Sequence, residues 1–578
     1  MKKLNSNLYE VYEINNFREL INHSCETYPN NVAYKFKENL GKKNQKVIEK
    51  TYSEVKKEVE ALGTMLLELG LENKKIALIG NNRYEWCESY FAITTSNMVV
   101  VPLDKALPEQ EIKNLIERSK VDAVIYENKY NEVFNSIREE NETIKYYINM
   151  DLKKEENGIL SFKELVEQGM KKIEDGDHRY ADVKIDNNKM SILIFTSGTT
   201  SMAKGVMLSQ KNITSNIIAM AKMSKMYDND VLLSFLPLHH TFECTITFLY
   251  GFYSGVTVAF CDGLKYIAKN LVEYKVSVFV AVPLVLETIY KKIRKSIEDQ
   301  GKAKLVDTMS GLANGLLKLH IDVRRKLFKS VLDQLGGNLR IAYFGAAAMD
   351  KKVIDGYNSF GIETVQGYGL TETSPLVAAE TDKQKCPGSV GMAPYNVELK
   401  LEDVDENGVG EIVVKGPNVM LGYYENPEAT ESVMKDGWFH TGDLGYYNKD
   451  GYLFISGRKK DVIVLKNGEN VFPSDIEFLV NKLPYVTESI LYPRENTKGE
   501  ISLGIKLVYD PEIIKEKFGD KTEKEYKNLV WEDIKEINKS LPVFKRIKEL
   551  IITTEPLEKT TTQKVKRFKE FEKILAKK

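Results

Sequence analysis

The stretch Ser191-Ile192-Leu193-Ile194-Phe195-Thr196-Ser197-Gly198-Thr199-Thr200-Ser201-Met202-Ala203-Lys204-Gly205-Val206 decides how the rest of the chain is read. Its first five residues form an apolar run of strand length, so a buried strand leads into a loop of hydroxyl residues and glycine with one lysine near its end. Glycine lets backbone approach an anion closely; hydroxyls and N–H groups donate to phosphate oxygens, and the lysine supplies charge. Such a loop suits a triphosphate. It lacks the Walker A spacing, because Ala203 stands five residues after Gly198 where that motif requires glycine. Taken alone, a Ser/Thr/Gly cluster also reads as an ordinary surface loop.

Working outward, apolar residues Val55, Val59, Leu62, Met65, Leu66 and Leu69 recur at helical spacing over 51–70. Strand-like 75–79, helical 83–92, strand-like 98–101, helical 108–119 and strand-like 123–126 follow, and the alternation resumes over 231–366. This pattern predicts an α/β fold, with parallel sheets flanked by helices. From about residue 388 the texture changes to short strands at 396–401, 410–415 and 452–455, separated by Asp-Glu-Asn-Gly and Lys-Asp-Gly turns. These predict antiparallel sheet or a small β-barrel-like part. Beyond Gly457-Arg458 a helix and strand mixture returns, with helices at 473–481 and 531–540 and strands at 488–492 and 501–508. The expected division is a large N-terminal domain, 1–457, and a small α+β C-terminal domain, 458–578.

The chain has 578 residues, enough for two or three folding units, and its 43% hydrophobic and 29% charged content is that of an ordinary globular protein. A formal net charge of −1 gives no global bias toward nucleic acid. Five scattered cysteines without C-x-x-C spacing support neither a zinc site nor a disulfide framework, and point to a reducing cytoplasm. The basic N-terminus lacks the apolar segment of a signal peptide. The apolar run at 276–286, broken by Pro283, is far shorter than the roughly 20 residues a spanning helix needs. Residues 541–578 carry 11 Lys/Arg against 5 Glu. A solvated helical tail accounts for this excess; contact with phosphates or with anionic lipid on the inner face of the membrane is the sharper reading.

Four motifs in order carry a resemblance. The 196–206 loop is followed by Gln366-Gly367-Tyr368-Gly369-Leu370-Thr371-Glu372, then Thr441-Gly442-Asp443, then Gly457-Arg458-Lys459-Lys460-Asp461. Together they resemble the adenylate-forming superfamily, and Leu236-Pro237-Leu238-His239-His240-Thr241-Phe242-Glu243 is most similar to its long-chain fatty acyl-CoA synthetases. The resemblance implies ATP-dependent activation of a fatty acid to acyl-AMP with pyrophosphate release, then thioester formation with CoA. It implies ATP, Mg²⁺ and CoA as cofactors. Two alternatives stay open: transfer to an acyl carrier protein instead of CoA, and an adenylate-binding protein without turnover.

The same resemblance assigns residues. Nucleotide contacts are implied for Thr196, Ser197, Gly198, Thr199 and Thr200, for the turn Gly345-Ala346-Ala347, and for Gln366, Gly367, Tyr368 and Gly369. The ring of Tyr368 is placed against adenine and Thr371 against the α-phosphate. Thr196 and Glu372 are implied metal ligands, an oxygen pair suited to a hard cation. Asp443 and Arg458 are implied ribose and phosphate contacts, Lys204 a phosphate-binding cation, and Lys564 the mobile catalytic lysine. Gly468 is implied to line a pantetheine channel after the C-terminal domain pivots near Lys460. Paired His239-His240 first suggest a metal or base, but no third ligand stands at metal spacing; a packed pair is the plain alternative, and the resemblance makes His240 a gate beside an acyl tunnel bordered by 245–253. The chain departs from the usual pattern at Ser201 and Ala203, where glycine and proline are customary, and at Gln563, where glycine often precedes the lysine.

Overall fold

The computed structural model describes residues 8–140, 143–196, 203–465, 469–495, 501–559 and 565–576. Among these, two eight-stranded sheets organise the first 380 residues together with the short strand Gly422–Tyr423. The helix Tyr52–Glu68 shows how local chemistry builds the layers. Thr51 and Glu54 form a reciprocal capping box at its start. Val55, Val59, Leu62 and Leu66 then turn one fully buried stripe into the core.

One sheet is centred on Val99–Pro102 and Lys75–Ile79, with Ala123–Tyr126 beside them. These strands pair in parallel and bury every side chain except that of Lys75. The other sheet runs in parallel through Thr257–Phe260, Val231–Ser234, Val278–Ala281, Ile341–Phe344 and Glu363–Gly369.

The all-parallel expectation fails at the edges. Lys46–Thr51, Leu376–Ala379, Lys204–Ser209 and Gly422–Tyr423 all run antiparallel to their neighbours. Three of them follow their partner strand through a short connection, and parallel pairing needs a crossover of a dozen or more residues; Gly422–Tyr423 instead returns from far along the chain.

Glu398–Glu402, Gly410–Lys415, Met434–Lys435, Trp438–Tyr447 and Leu453–Arg458 make the antiparallel five-stranded sheet anticipated from the turn pattern. After the tight turn Lys459–Asp461, Ile463, Val471, Tyr485, Ile505, Val530 and Ile552 form a hydrophobic core of their own. It lies under the three-stranded sheet of Val486–Glu495, Ile501–Tyr509 and Ile547–Thr553. The helix expected at 531–540 begins earlier, as Glu523–Ser540. Its true start is the capping box of Thr522 and Glu525, a T-x-x-E signal that the apolar spacing alone did not reveal.

Candidate active site

The hairpin of Met190–Thr196 and Lys204–Ser209 sets the first wall. Thr196 stands opposite Lys204, and its hydroxyl donates to the Lys204 carbonyl at 3.4 Å. Lys204 thus opens a strand instead of ending a loop. Val206 and Leu208, both fully buried, extend the alternation that pulls it into the sheet. Ser197, Gly198, Thr199, Thr200, Ser201 and Met202 lie outside the described residues.

The second wall is the strand Glu363–Gly369 and the turn Thr371–Thr373 that follows it. A Cβ at Gly345 would sit 2.9 Å from the Gly367 carbonyl oxygen, so the turn Gly345-Ala346-Ala347 is held against Gln366 and Gly367 by close backbone contact. A Cβ at Gly369 would lie 1.8 Å from the Pro375 carbonyl oxygen, which requires glycine there. Asn216 fixes the turn from the helix Gln210–Met223. It donates to the Thr373 carbonyl at 3.1 Å and accepts from the Leu376 N–H at 2.9 Å.

These two walls meet through a residue the sequence reading missed. Tyr423 donates its hydroxyl to Glu372 Oε1 at 2.9 Å, and Lys204 Nζ stands 4.7 Å from the centre of its ring. Burial, and then the Glu372 carboxylate, push the Tyr423 phenol pKa well up, so the hydroxyl keeps its proton. The available signal was the short Gly422-Tyr423-Tyr424 run after Gly416-Pro417, too brief to read as a strand.

The third element is a carboxylate between two donors. Asp443 and Arg458 are register partners on antiparallel strands, and Arg458 Nε lies 2.7 Å from Asp443 Oδ1. Tyr368 donates to Asp443 Oδ2 at 2.6 Å, and the Asp443 N–H donates to Thr441 Oγ1 at 3.0 Å. Burial and the Asp443 charge raise the Tyr368 phenol pKa far above its ordinary value. Lys460, two residues beyond Arg458, has its pKa lowered chiefly by burial, with Arg458 and Lys204 as repelling neighbours. The structure therefore brings together Thr196, Lys204, Glu372, Tyr368, Asp443 and Arg458. Lys564 and Gly468, with the preceding Thr562 and Gln563, lie outside the described residues. Next to Lys564, Val565 bridges to Lys559, and Arg567 donates to Glu477 while standing 3.5 Å from Asp461 at the turn.

The His239-His240 pair is packed, with ring centroids 4.0 Å apart. His239 Nε2 lies 3.6 Å from Asp104, yet burial, with His240 and Lys105 nearby, holds its pKa well below the ordinary value. It is a neutral imidazole at physiological pH. Next to it, fully buried Glu243 accepts from Ser234 and Thr247 at 2.7 and 2.9 Å. Residues Cys244–Tyr250 form a π-helical turn. Phe248 and Phe252 pack edge-on against Phe91 at 4.7 and 5.0 Å, so these aromatics of 245–253 are core.

The ends of the 190–209 hairpin at Thr196 and Lys204, the Glu372 turn and the Asp443–Arg458 pair are the elements against which known proteins can be compared. The AMP-binding enzyme family matches residues 21–424, and the AMP-binding enzyme C-terminal domain matches residues 460–577. The chain belongs to the AMP-binding enzyme family. Among curated relatives, it is 30% identical to Long chain acyl-CoA synthetase 4 of Arabidopsis thaliana, over 81% of this chain and 75% of that protein. It is also 30% identical to Fatty acyl-CoA synthetase B of Dictyostelium discoideum, over 84% and 74% of the two chains. Solved structures share the fold. The anthranilate CoA ligase AuaEII with anthranoyl-AMP superposes with a TM-score of 0.75 at 18% identity over the whole of both chains. A Mycobacterium tuberculosis fatty acyl CoA synthetase gives 0.65 at 22% identity, covering 97% and 99%.

Proposed function

We propose that this protein is a long-chain fatty acid–CoA ligase that forms acyl-AMP from ATP and then transfers the acyl group to CoA. The observation that carries this reading is that Lys204 and Glu372 meet at Tyr423 while Tyr368, on the strand that leads into the Glu372 turn, binds Asp443, in a chain whose curated relatives are named long-chain and fatty acyl-CoA synthetases.

Adenylation brings two anions together and expels pyrophosphate, so it requires cations and fixed donors around the phosphates. Lys204 supplies one cation at the strand edge. Thr196 and Glu372 offer a hydroxyl and a carboxylate, the hard oxygen donors that fit Mg²⁺. When bound, that ion neutralises charge on the departing phosphates. Asp443 accepts from ribose hydroxyls, with Arg458 steadying the carboxylate; Thr371 and the backbone of Gln366, Gly367 and Gly369 face the nucleotide, and Tyr368 packs against the base. Lys564 approaches for the first step. Taking the domain boundary at 457/458, the smaller domain pivots on the Lys459–Asp461 turn, and Gly468 then lines the path of the CoA thiol.

The test is ATP–pyrophosphate exchange over acids from acetate to oleate, followed by product analysis with CoA and with acyl carrier protein. Exchange with long acids and thioester formed on CoA support the proposal. Product on carrier protein alone identifies a carrier-protein ligase, and no exchange with any acid identifies a binder without turnover.

A further inference from the structure

We propose that Tyr423 is a positioning residue that fixes Lys204 and Glu372 relative to each other, holding the carboxylate with its hydroxyl and the ammonium with its ring. The inference rests on the reading above, which places those two residues at the phosphate and metal end of the site.

Tyr423 is a rigid post. It pairs with Val206 on the Lys204–Ser209 strand, while Gly422 pairs with Met207. The Leu421 N–H donates to the Met207 carbonyl at 2.9 Å and the Tyr424 N–H to the Gly205 carbonyl at 2.7 Å. Its own N–H donates to Thr430 Oγ1 at 2.9 Å, and the residue is only 6% exposed. The same segment holds the backbone of the other partner, since the Met420 N–H donates to the Glu372 carbonyl at 2.9 Å. Residues 420–424 thus grip Glu372 by main chain and side chain, and grip the lysine strand by ladder bonds.

Physical chemistry gives the two halves of the side chain separate jobs. A protonated phenol donating to one carboxylate oxygen fixes the rotation of that carboxylate, as hydrogen-bond partners of metal-binding carboxylates do. A ring face under an ammonium attracts it and limits where a flexible four-carbon chain can place its charge. Tyr423→Phe removes only the first job; Tyr423→Leu removes both.

The full-length chain carrying each substitution is titrated with Mn²⁺ in the presence of ATP, followed by electron paramagnetic resonance, and with ATP alone by calorimetry. Tyr423→Phe is expected to weaken Mn²⁺ binding about tenfold and leave metal-free ATP affinity unchanged. Tyr423→Leu is expected to show the same metal defect plus a loss of about two- to fivefold in metal-free ATP affinity. On a Glu372→Ala background, Tyr423→Phe should add nothing to the metal defect. Wild-type Mn²⁺ affinity in Tyr423→Phe overturns the inference. So does a defect that persists undiminished on the Glu372→Ala background, or one that follows a fall in thermal midpoint equally in both variants. Those outcomes leave the proposed function standing if the wild type exchanges pyrophosphate; a wild type that neither exchanges pyrophosphate nor binds Mn²⁺ with ATP sinks that reading instead.

Discussion

The Tyr368 hydroxyl closes on Asp443 Oδ2 at 2.6 Å while Arg458 holds the other oxygen, so the carboxylate assigned to ribose is already oriented by two donors. Orientation of this kind reduces what a ligand must order on binding. Asp443→Asn keeps the shape and removes the charge that both partners are arranged around. Hydrogen bonds to a charged group contribute about 1.5–3 kcal/mol each, so the KM for ATP should rise on the order of 10- to 100-fold with a smaller change in kcat. Steady-state kinetics at saturating acid measure this, and an unchanged KM excludes Asp443 as a nucleotide contact.

Glu372→Gln preserves volume and the acceptor for Tyr423 but removes the charge offered to a hard cation. The midpoint of the Mg²⁺ titration of pyrophosphate release should move to higher concentration by about tenfold or more, in line with the usual effect of altering groups around a metal. Superimposable titration curves for mutant and wild type would remove Glu372 from the metal site.

Lys564→Ala should slow acyl-adenylate formation by about 10²–10³-fold, the usual effect of losing one stabilising electrostatic group. Thioester synthesis from supplied acyl-AMP should persist, because the charge is needed only in the first step. Full adenylation activity in the variant contradicts the assignment.

How much of this was legible in the sequence differs by feature. The inner strands were, because 76–79, 99–101 and 123–126 are apolar on both faces and need no partner to be recognised. The antiparallel edges were not, since direction depends on connection length and on which strand lies alongside. Lys204, Glu372, Asp443 and Arg458 stood out because they sit in compact motifs. Tyr423 did not: it is 51 residues from Glu372 and 219 from Lys204, and only the pairing of Gly422–Tyr423 with Lys204–Ser209 brings the three together. The resemblance placed 245–253 along a tunnel, whereas packing against Phe91 puts Phe248 and Phe252 in the core.

Glu243 gives a pH-dependent prediction. Burial raises its carboxyl pKa from 4.5 to about 8, against the opposing pull of Ser234 and Thr247. The folded protein therefore keeps a proton that the unfolded chain releases above its ordinary pKa. This contribution is complete below about pH 4.5 and is lost as pH rises toward about 8. At about 1.4 kcal/mol per unit, it is on the order of 4–5 kcal/mol. Glu243→Gln should flatten the decline in Tm between pH 5 and pH 8 relative to wild type, as calorimetry would record. An identical decline in both proteins would show that Glu243 is ionised in the fold across that range.

The turn Lys459–Asp461 is the assigned pivot, and Lys460 stands at its centre. Proline there fixes φ near −65° and removes an N–H. Lys460→Pro should keep pyrophosphate release within a few-fold of wild type and lose most CoA ester formation. Equal loss of both steps would point to a direct role of the lysine in chemistry or to a damaged fold.

The most direct test of the central claim is the rate of acyl-CoA formation across a series of acids from acetate to oleate, with wild type and His240→Ala. Each buried methylene contributes about 0.8 kcal/mol, so kcat/KM should climb steeply with chain length and favour acids of about twelve carbons or more, with His240→Ala altering that profile. Acetate or a benzoate derivative outperforming palmitate on the wild type would contradict the long-chain assignment.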